Sequence, residues 1–219
     1  GKRIKKTLDP PVAYIISDGG LYLQSHQAQV AMEAEGIPTH QFFIPPGEQS
    51  KTLENAQHIY TWLADHKAER GHLIVALGGG VVGDLAGYVA ATYLRGMPFA
   101  QVPTSMLAMM DASIGGKTAV DLPQGKNLVG AFYQPKFVLS DVSILTTLPQ
   151  RELTSGWAEA LKHGLILDEG LLSTFENQSE EILALESEIA TDVIRRSVAI
   201  KGEVVSADEF ETGDRRVLL

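Results

Sequence analysis

With 219 residues, 44% hydrophobic and 21% charged, the chain has the balance of an ordinary globular protein, enough for one large domain or a domain and a half. A formal net charge of −9 argues against nucleic acid, which demands clustered Lys and Arg, and no apolar run reaches the length of a membrane span. With no cysteine there are no disulfides or thiolate metal sites, so a metal must be held by His, Asp or Glu, and a reducing cytoplasm is the expected compartment.

Gly1 to Lys6 are basic, but no signal-peptide hydrophobic region follows them. Val12 to Ile16 reads as a first strand ending at Ser17-Asp18-Gly19-Gly20. A helical pattern runs from Leu21 to Glu35 and is stopped by Gly36 and Pro38. His40 to Ile44 predicts a second strand, closed by Pro45-Pro46-Gly47. From Ser50 to Lys67, Leu53, Ala56, Ile59, Tyr60 and Leu63 recur at helical spacing. A third strand, Leu73 to Leu77, runs into Gly78-Gly79-Gly80-Val81-Val82-Gly83-Asp84, and a helix of small residues is expected from Leu85 to Tyr93. Phe99 to Val102 and Phe137 to Ser140 read as the fourth and fifth strands.

Apolar strands separated by helices indicate a parallel sheet covered on both faces, a Rossmann-like, doubly wound α/β domain. After Leu148-Pro149 the strand signal vanishes and the pattern turns helical. The expected organisation is an α/β domain over 1–149 and the start of an all-helical domain over 150–219. Gly1 is not a start residue and Val217-Leu218-Leu219 carries no stop signal, so the helical domain is expected to be truncated.

Three clusters could carry chemistry. Gly78, Gly80 and Gly83 satisfy G-x-G-x-x-G between a strand and a helix, where backbone can approach a pyrophosphate facing helix N-terminal amides. The standard dinucleotide fingerprint expects an acidic residue about 20 positions on. Val102-Pro103-Thr104 stands there instead, and the loop follows the third strand rather than the first. Phosphate cradling therefore fits better than an ordinary Rossmann fingerprint. A tight strand–helix turn without a ligand is the plain alternative.

The second cluster is Met110 to Thr118 followed by Gly125-Lys126-Asn127. Lysines beside glycines are expected on two loops that could converge on one phosphate or carboxylate. Gly116-Lys117-Thr118 resembles the end of a Walker A loop, but Asp111 occupies the place of the required glycine. The third cluster, Gly156 to Gly164, puts Glu159 and Lys162 on one helical face among apolar neighbours. A solvated ion pair is the bland account; metal and anion binding suit the packed setting better. His163 reads as structural. The other histidines lack metal-ligand spacing, and no nucleophile elbow is present.

In this order the clusters resemble the 3-dehydroquinate synthase family of sugar-phosphate cyclases. The stretches that carry the resemblance are LGGGVVGDLAGYVAATYLRG, QVPTSMLAMMDASIGGKTAVD, GKNLVGAFYQP and TLPQRELTSGWAEALKHG. It runs from about Pro46 to Leu219. It implies an NAD-binding α/β domain and a helical, metal-holding domain. The implied activity converts 3-deoxy-arabino-heptulosonate 7-phosphate to 3-dehydroquinate and phosphate in the shikimate pathway to aromatic amino acids. NAD is reduced and reoxidised within each turnover.

The resemblance also implies site residues. The NAD pyrophosphate would meet Gly79, Gly80, Val81 and Gly83, with Asp84 at the nicotinamide ribose. Glu48 and Lys51 match the adenosine-ribose loop, and Asp18 the adenine side. Thr104, Ser105, Thr146, Thr147 and Leu148 match further cofactor contacts, as do Lys117 and Lys126. Substrate contacts would fall to Asp111, Lys117, Lys126, Asn127 and Lys162, with Asp111, Lys117, Asn127 and Lys162 as the catalytic group. Arg95 matches a residue that reaches the phosphate site of the neighbouring subunit in family homodimers, and Lys201 and Arg216 match two further basic contacts. Glu159 matches the first ligand of a divalent metal, zinc or cobalt, whose two histidine ligands belong to a segment expected directly after Leu219.

Three rivals stand beside this reading. Sister cyclases making deoxy-inosose or valiolone differ around the lysine segment, and Asp111 to Asp121 reads as the dehydroquinate type. A metal-dependent alcohol dehydrogenase of the glycerol dehydrogenase type would not need Lys117, Lys126, Asn127 and Lys162. A non-catalytic NAD-binding remnant would bind nucleotide without coupling to a metal.

Overall fold

The computed structural model describes residues 1–213. Strands β1 (Ala13–Asp18), β2 (Thr39–Ile44), β3 (Leu73–Gly78) and β4 (Phe99–Pro103) form one sheet in the order β2-β1-β3-β4. β1 runs parallel to both β2 and β3, pairing Ala13 with Thr39 on one side and with Leu73 on the other. Helices α1 (Lys2–Thr7), α2 (Tyr22–Glu33), α3 (Leu53–Asp65) and α4 (Gly80–Thr92) cover the sheet. Side chains of a strand alternate between its faces. Accordingly Tyr14, Ile16, Ile74 and Ala76 pack with Ile59 and Leu63 of α3 and Leu85 and Val89 of α4. Ala13, Ile15, Leu73 and Val75 pack with Ile4 of α1 and Met32 of α2. These are the two covered faces that the apolar strands required.

Two features depart from the sequence expectation. The segment at 137–140 makes a single parallel bridge, Gln101 to Val138, because the chain leaves the edge of β4 there and Asp141 caps a 3-10 turn over Val142–Thr147. The stretch expected as lysine-bearing loops is an antiparallel ribbon, β5 (Lys117–Leu122) and β6 (Gly125–Phe132). β5 packs on α4, where a Cβ on Gly87 would lie 2.4 Å from Thr118 Cγ2. Glycine at 87 is what lets ribbon and helix meet this closely.

The chain divides into two compact units, one of residues 1–102 and 116–139, the other of 103–115 and 140–219. They do not follow a single cut at Pro149. Met106, Met109 and Met110 lie on a helical turn that ends in a π segment (Ala108–Ala112), and they belong to the core of the helical unit. That unit contains α5 (Gln150–Leu167), α6 (Glu169–Asn177), α7 (Ser179–Leu183) and α8 (Ser187–Ala207). Its core joins Leu153, Trp157 and Ala160 of α5 to Leu171, Ile182, Val193 and Ile194. Among the described residues no helix is long and apolar enough to cross a membrane.

Candidate functional site

The sheet order reverses its direction of growth between β1 and β3, and ligands of open α/β sheets bind beyond the strand ends at such a point. Asp18 ends β1 there and accepts a hydrogen bond from Gly20 N at 2.9 Å. Gly78 ends β3, and α4 begins at Gly80, five residues before the expected Leu85. A glycine-rich start has poor helix propensity, but close packing overrides it. A Cβ on Gly78 would stand 2.5 Å from Val82 Cγ2, so strand and helix touch through that glycine. Gly79 is the N-cap, and no side chain caps the helix. Helix geometry leaves the amides of Gly80, Val81 and Val82 without intrahelical partners, while Gly83 N already donates to Gly79 O at 3.0 Å. The turn fits a pyrophosphate.

Beside the first turn of α4 stands a buried ammonium. The Lys51 side chain is 5% exposed, and its Nζ lies 2.7 Å from Asn127 Oδ1, 3.2 Å from Asp84 Oδ2, 3.3 Å from Glu48 Oε1 and 3.7 Å from Asp121 Oδ1. Lys126 Nζ lies 3.0 Å from the same Glu48 oxygen. Burial pulls the Lys51 ammonium down, and Asp84, Glu48 and Asp121 more than offset this, leaving its pKa above the ordinary lysine value. Burial pushes Asp84 up to about 6 against the opposing pull of Lys51. At neutral pH the pair is therefore ionised, with little margin on the acid side.

The structure thus brings Glu48, Lys51, Asp84, Lys126 and Asn127 together. It does not do so for Lys117. Lys117 pairs with Phe132 at the open end of the ribbon, whereas Lys126 follows Gly125 at the turn. The two lysines stand on the order of 13 Å apart along the strands. The residue missed from the sequence is Asp121, whose carboxylate and backbone both join the cluster. A carboxylate between Val120 and Leu122, four residues beyond Lys117, gives no signal until the ribbon pairing is known.

Arg95 lies on a turn where Leu94, Arg95 and Gly96 have φ of 51°, 67° and 123°. Three consecutive left-handed residues swing the chain from α4 back into β4.

In the helical unit, Glu159, Lys162 and His163 share a border of α5. Glu159 Oε1 lies 2.6 Å from Lys162 Nζ and 3.4 Å from His163 Nε2. His163 is fully buried, and burial holds its pKa below the usual value, against the pull of Glu159, so the ring is neutral. Lys201 sits on the buried stripe of α8, and its Nζ reaches Asp111 Oδ1 at 2.7 Å. Thr104 is buried, and Ser105 Oγ accepts from Ala108 N at 3.3 Å. Thr146 and Thr147 donate to the carbonyls of Ser143 and Ile144, beside Leu148. Arg216 lies outside the described residues.

A divalent metal finds only part of a site here. Glu159 Oε1 is buried without a well-angled hydrogen bond, as suits a ligand atom, but the described residues contain no group of three or more His, Asp or Glu able to hold an ion.

Fold and site together define an α/β dinucleotide-type module joined to a helical, acid- and lysine-bearing one. The family model for the 3-dehydroquinate synthase N-terminal domain matches residues 41–155, and that for the C-terminal domain matches 156–219. The chain belongs to the 3-dehydroquinate synthase family. It is 50% identical over 207 residues to 3-dehydroquinate synthase of Symbiobacterium thermophilum, covering 94% of this chain and 58% of that protein. Among solved structures, 2-epi-5-epi-valiolone synthase of Streptomyces hygroscopicus with NAD+ and Zn2+ bound superposes with a TM-score of 0.89 at 27% identity, covering 96% of this chain and 60% of that one. A 2-deoxy-scyllo-inosose synthase complexed with carbaglucose-6-phosphate, NAD+ and Co2+ gives 0.85 at 30% identity, covering 97% and 58%. The chain spans a little under three fifths of the length of the curated relative it matches.

Proposed function

We propose that this chain is the cofactor-binding unit and the first part of the helical unit of a 3-dehydroquinate synthase. The activity is conversion of 3-deoxy-arabino-heptulosonate 7-phosphate to 3-dehydroquinate and phosphate, by a homodimer in the cytoplasm, with NAD and zinc or cobalt. What carries the reading is the Lys51 ammonium, buried among Glu48, Asp84 and Asn127, which ties the glycine-turn helix to the basic ribbon.

In this reading the amides of Gly80 and Val81 receive the pyrophosphate at the N-terminus of α4, where the helix dipole favours negative charge. Asp84, ionised at neutral pH, accepts from the hydroxyls of the nicotinamide ribose, while Lys51 fixes its rotamer. Glu48 and Lys51 hold the adenosine ribose. Lys126 and Asn127 offer donors to the sugar phosphate, and Lys117 engages it from the far end of the ribbon. Lys162 supplies an ammonium beside Glu159, and Lys201 orients the Asp111 carboxylate for a substrate hydroxyl. The chemistry supplied by bound NAD is reversible hydride acceptance, which makes an alcohol transiently a ketone and acidifies the adjacent C–H. Glu159 offers one carboxylate oxygen to a metal; no step is derived through it.

The test is an assay of the full-length protein with the heptulosonate phosphate and, separately, with glucose 6-phosphate. Phosphate and dehydroquinate should form from the first alone. Turnover of glucose 6-phosphate in its place would move the protein to a sister cyclase.

A further inference from the structure

Asp121 makes three links at once. Its Oδ1 accepts from Asn127 N at 2.8 Å, its own N–H donates to Lys51 O at 2.7 Å, and its carboxylate faces the Lys51 ammonium at 3.7 Å. It lies at the irregularity in the ribbon between Val120 and Leu122, where it forms an isolated parallel bridge with Thr52. Asn127, which it holds, has φ of +57°, a left-handed conformation that asparagine adopts more readily than other non-glycine residues and that the bond from Asp121 helps to hold. In that conformation the Asn127 side chain reaches Lys51. The side chain of Asp121 is 17% exposed, so these bonds form largely out of water, where they are stronger.

We infer that Asp121 is a positioning residue: it acts through Asn127, fixing the left-handed turn that presents Lys126 and Asn127 to the sugar phosphate and locking that turn to the cofactor loop at Lys51. The inference rests on the dehydroquinate synthase reading, since it assigns Asp121 by what Asn127 does there.

The experiment is a double-mutant cycle on kcat/KM for the heptulosonate phosphate in the full-length protein. Asp121→Ala should lower kcat/KM about tenfold in the wild-type background and less than about twofold in an Asn127→Ala background, since the interaction it removes is already gone. Asp121→Asn keeps an acceptor for Asn127 N–H and should stay within about threefold of wild type. If Asp121→Ala does not fold, Asp121→Ser, whose shortened hydroxyl falls away from Asn127 N, takes its place in the cycle. Losses that multiply independently in the double mutant would overturn the inference, as would an Asp121→Asn protein as impaired as Asp121→Ala. A wild-type protein without turnover would instead sink the reading of the site itself, so the two failures are distinguishable.

Discussion

Lys51 Nζ and Asn127 Oδ1 meet at 2.7 Å across 76 residues of sequence. One end of this bond belongs to the loop before α3, the other to the β5–β6 ribbon, and Asp84 of α4 completes the contact at 3.2 Å. Three segments that are separate in sequence are thus tied by one buried ammonium, and the stability of the α/β unit should report on it.

Removing that ammonium leaves Glu48, Asp84 and Asp121 facing one another. Lys51→Met should cost about 2–3 kcal/mol at pH 7.5, below the full penalty of breaking a buried pair because Glu48 remains near solvent. The loss should shrink toward pH 5, where Asp84 takes up a proton. The chain has two tryptophans, Trp62 in the α/β unit and Trp157 in the helical one. Urea unfolding followed by Trp62 fluorescence in a Trp157→Phe background therefore isolates the effect.

Asp84 gives a pH dependence of defined sign. Its folded pKa of about 6 lies above the ordinary 3.8, so between these values the folded state holds more protons than the unfolded one. Its contribution to stability is complete below the lower value and is lost as pH rises through the upper one. Asp84→Asn, without cofactor, should match wild type near pH 4 and exceed its stability by about 2 kcal/mol at pH 7.5. Equal differences at both pH values would show that burial does not govern this carboxylate.

Gly78→Ala places a methyl group 2.5 Å from Val82 Cγ2 and 2.6 Å from its Cβ, a branched side chain at the start of α4 that has little freedom to yield. Overpacking of this kind costs about 1–3 kcal/mol. It should also weaken NAD binding in calorimetry, because α4 and its amides must shift. Unchanged affinity would separate this contact from the cofactor turn.

His163 is enclosed, and neither ring nitrogen has a well-formed hydrogen bond. Replacing an unsatisfied buried polar ring by an apolar one is neutral or favourable. His163→Phe should therefore leave the helical unit as stable or more stable by about 1 kcal/mol, followed by Trp157 in a Trp62→Phe background. A clear loss would mean that the 3.4 Å approach to Glu159 acts as a real bond.

The parallel sheet was legible because β1 from Ala13 to Ile16 and β3 from Leu73 to Leu77 carry no charged or strongly polar side chain, as a doubly covered strand requires. The ribbon was not. Its β6 alternates poorly and is mostly exposed, so period-two patterning is weak, and Gly116 and Gly125 read as loop. Gly130 is a close ribbon contact, where a Cβ would lie 2.2 Å from Thr118 O. The start of α4 was placed late for the same reason, glycine being read as a turn where it serves close packing. Glu159 and Lys162 were singled out through helical spacing, and Glu48, Lys51 and Asp84 through the family resemblance. Asp121 escaped both, since its role depends on a pairing register that no local pattern encodes.

In the proposed reaction a redox cofactor is used catalytically for phosphate elimination, and stoichiometry tests this most directly. The full-length protein would be given heptulosonate phosphate in large excess over NAD, with zinc or cobalt present, while released phosphate and NADH are followed together. Many phosphates should be released per NAD with no net NADH. NADH accumulating in step with substrate loss, without phosphate release, would contradict it and mark a dehydrogenase.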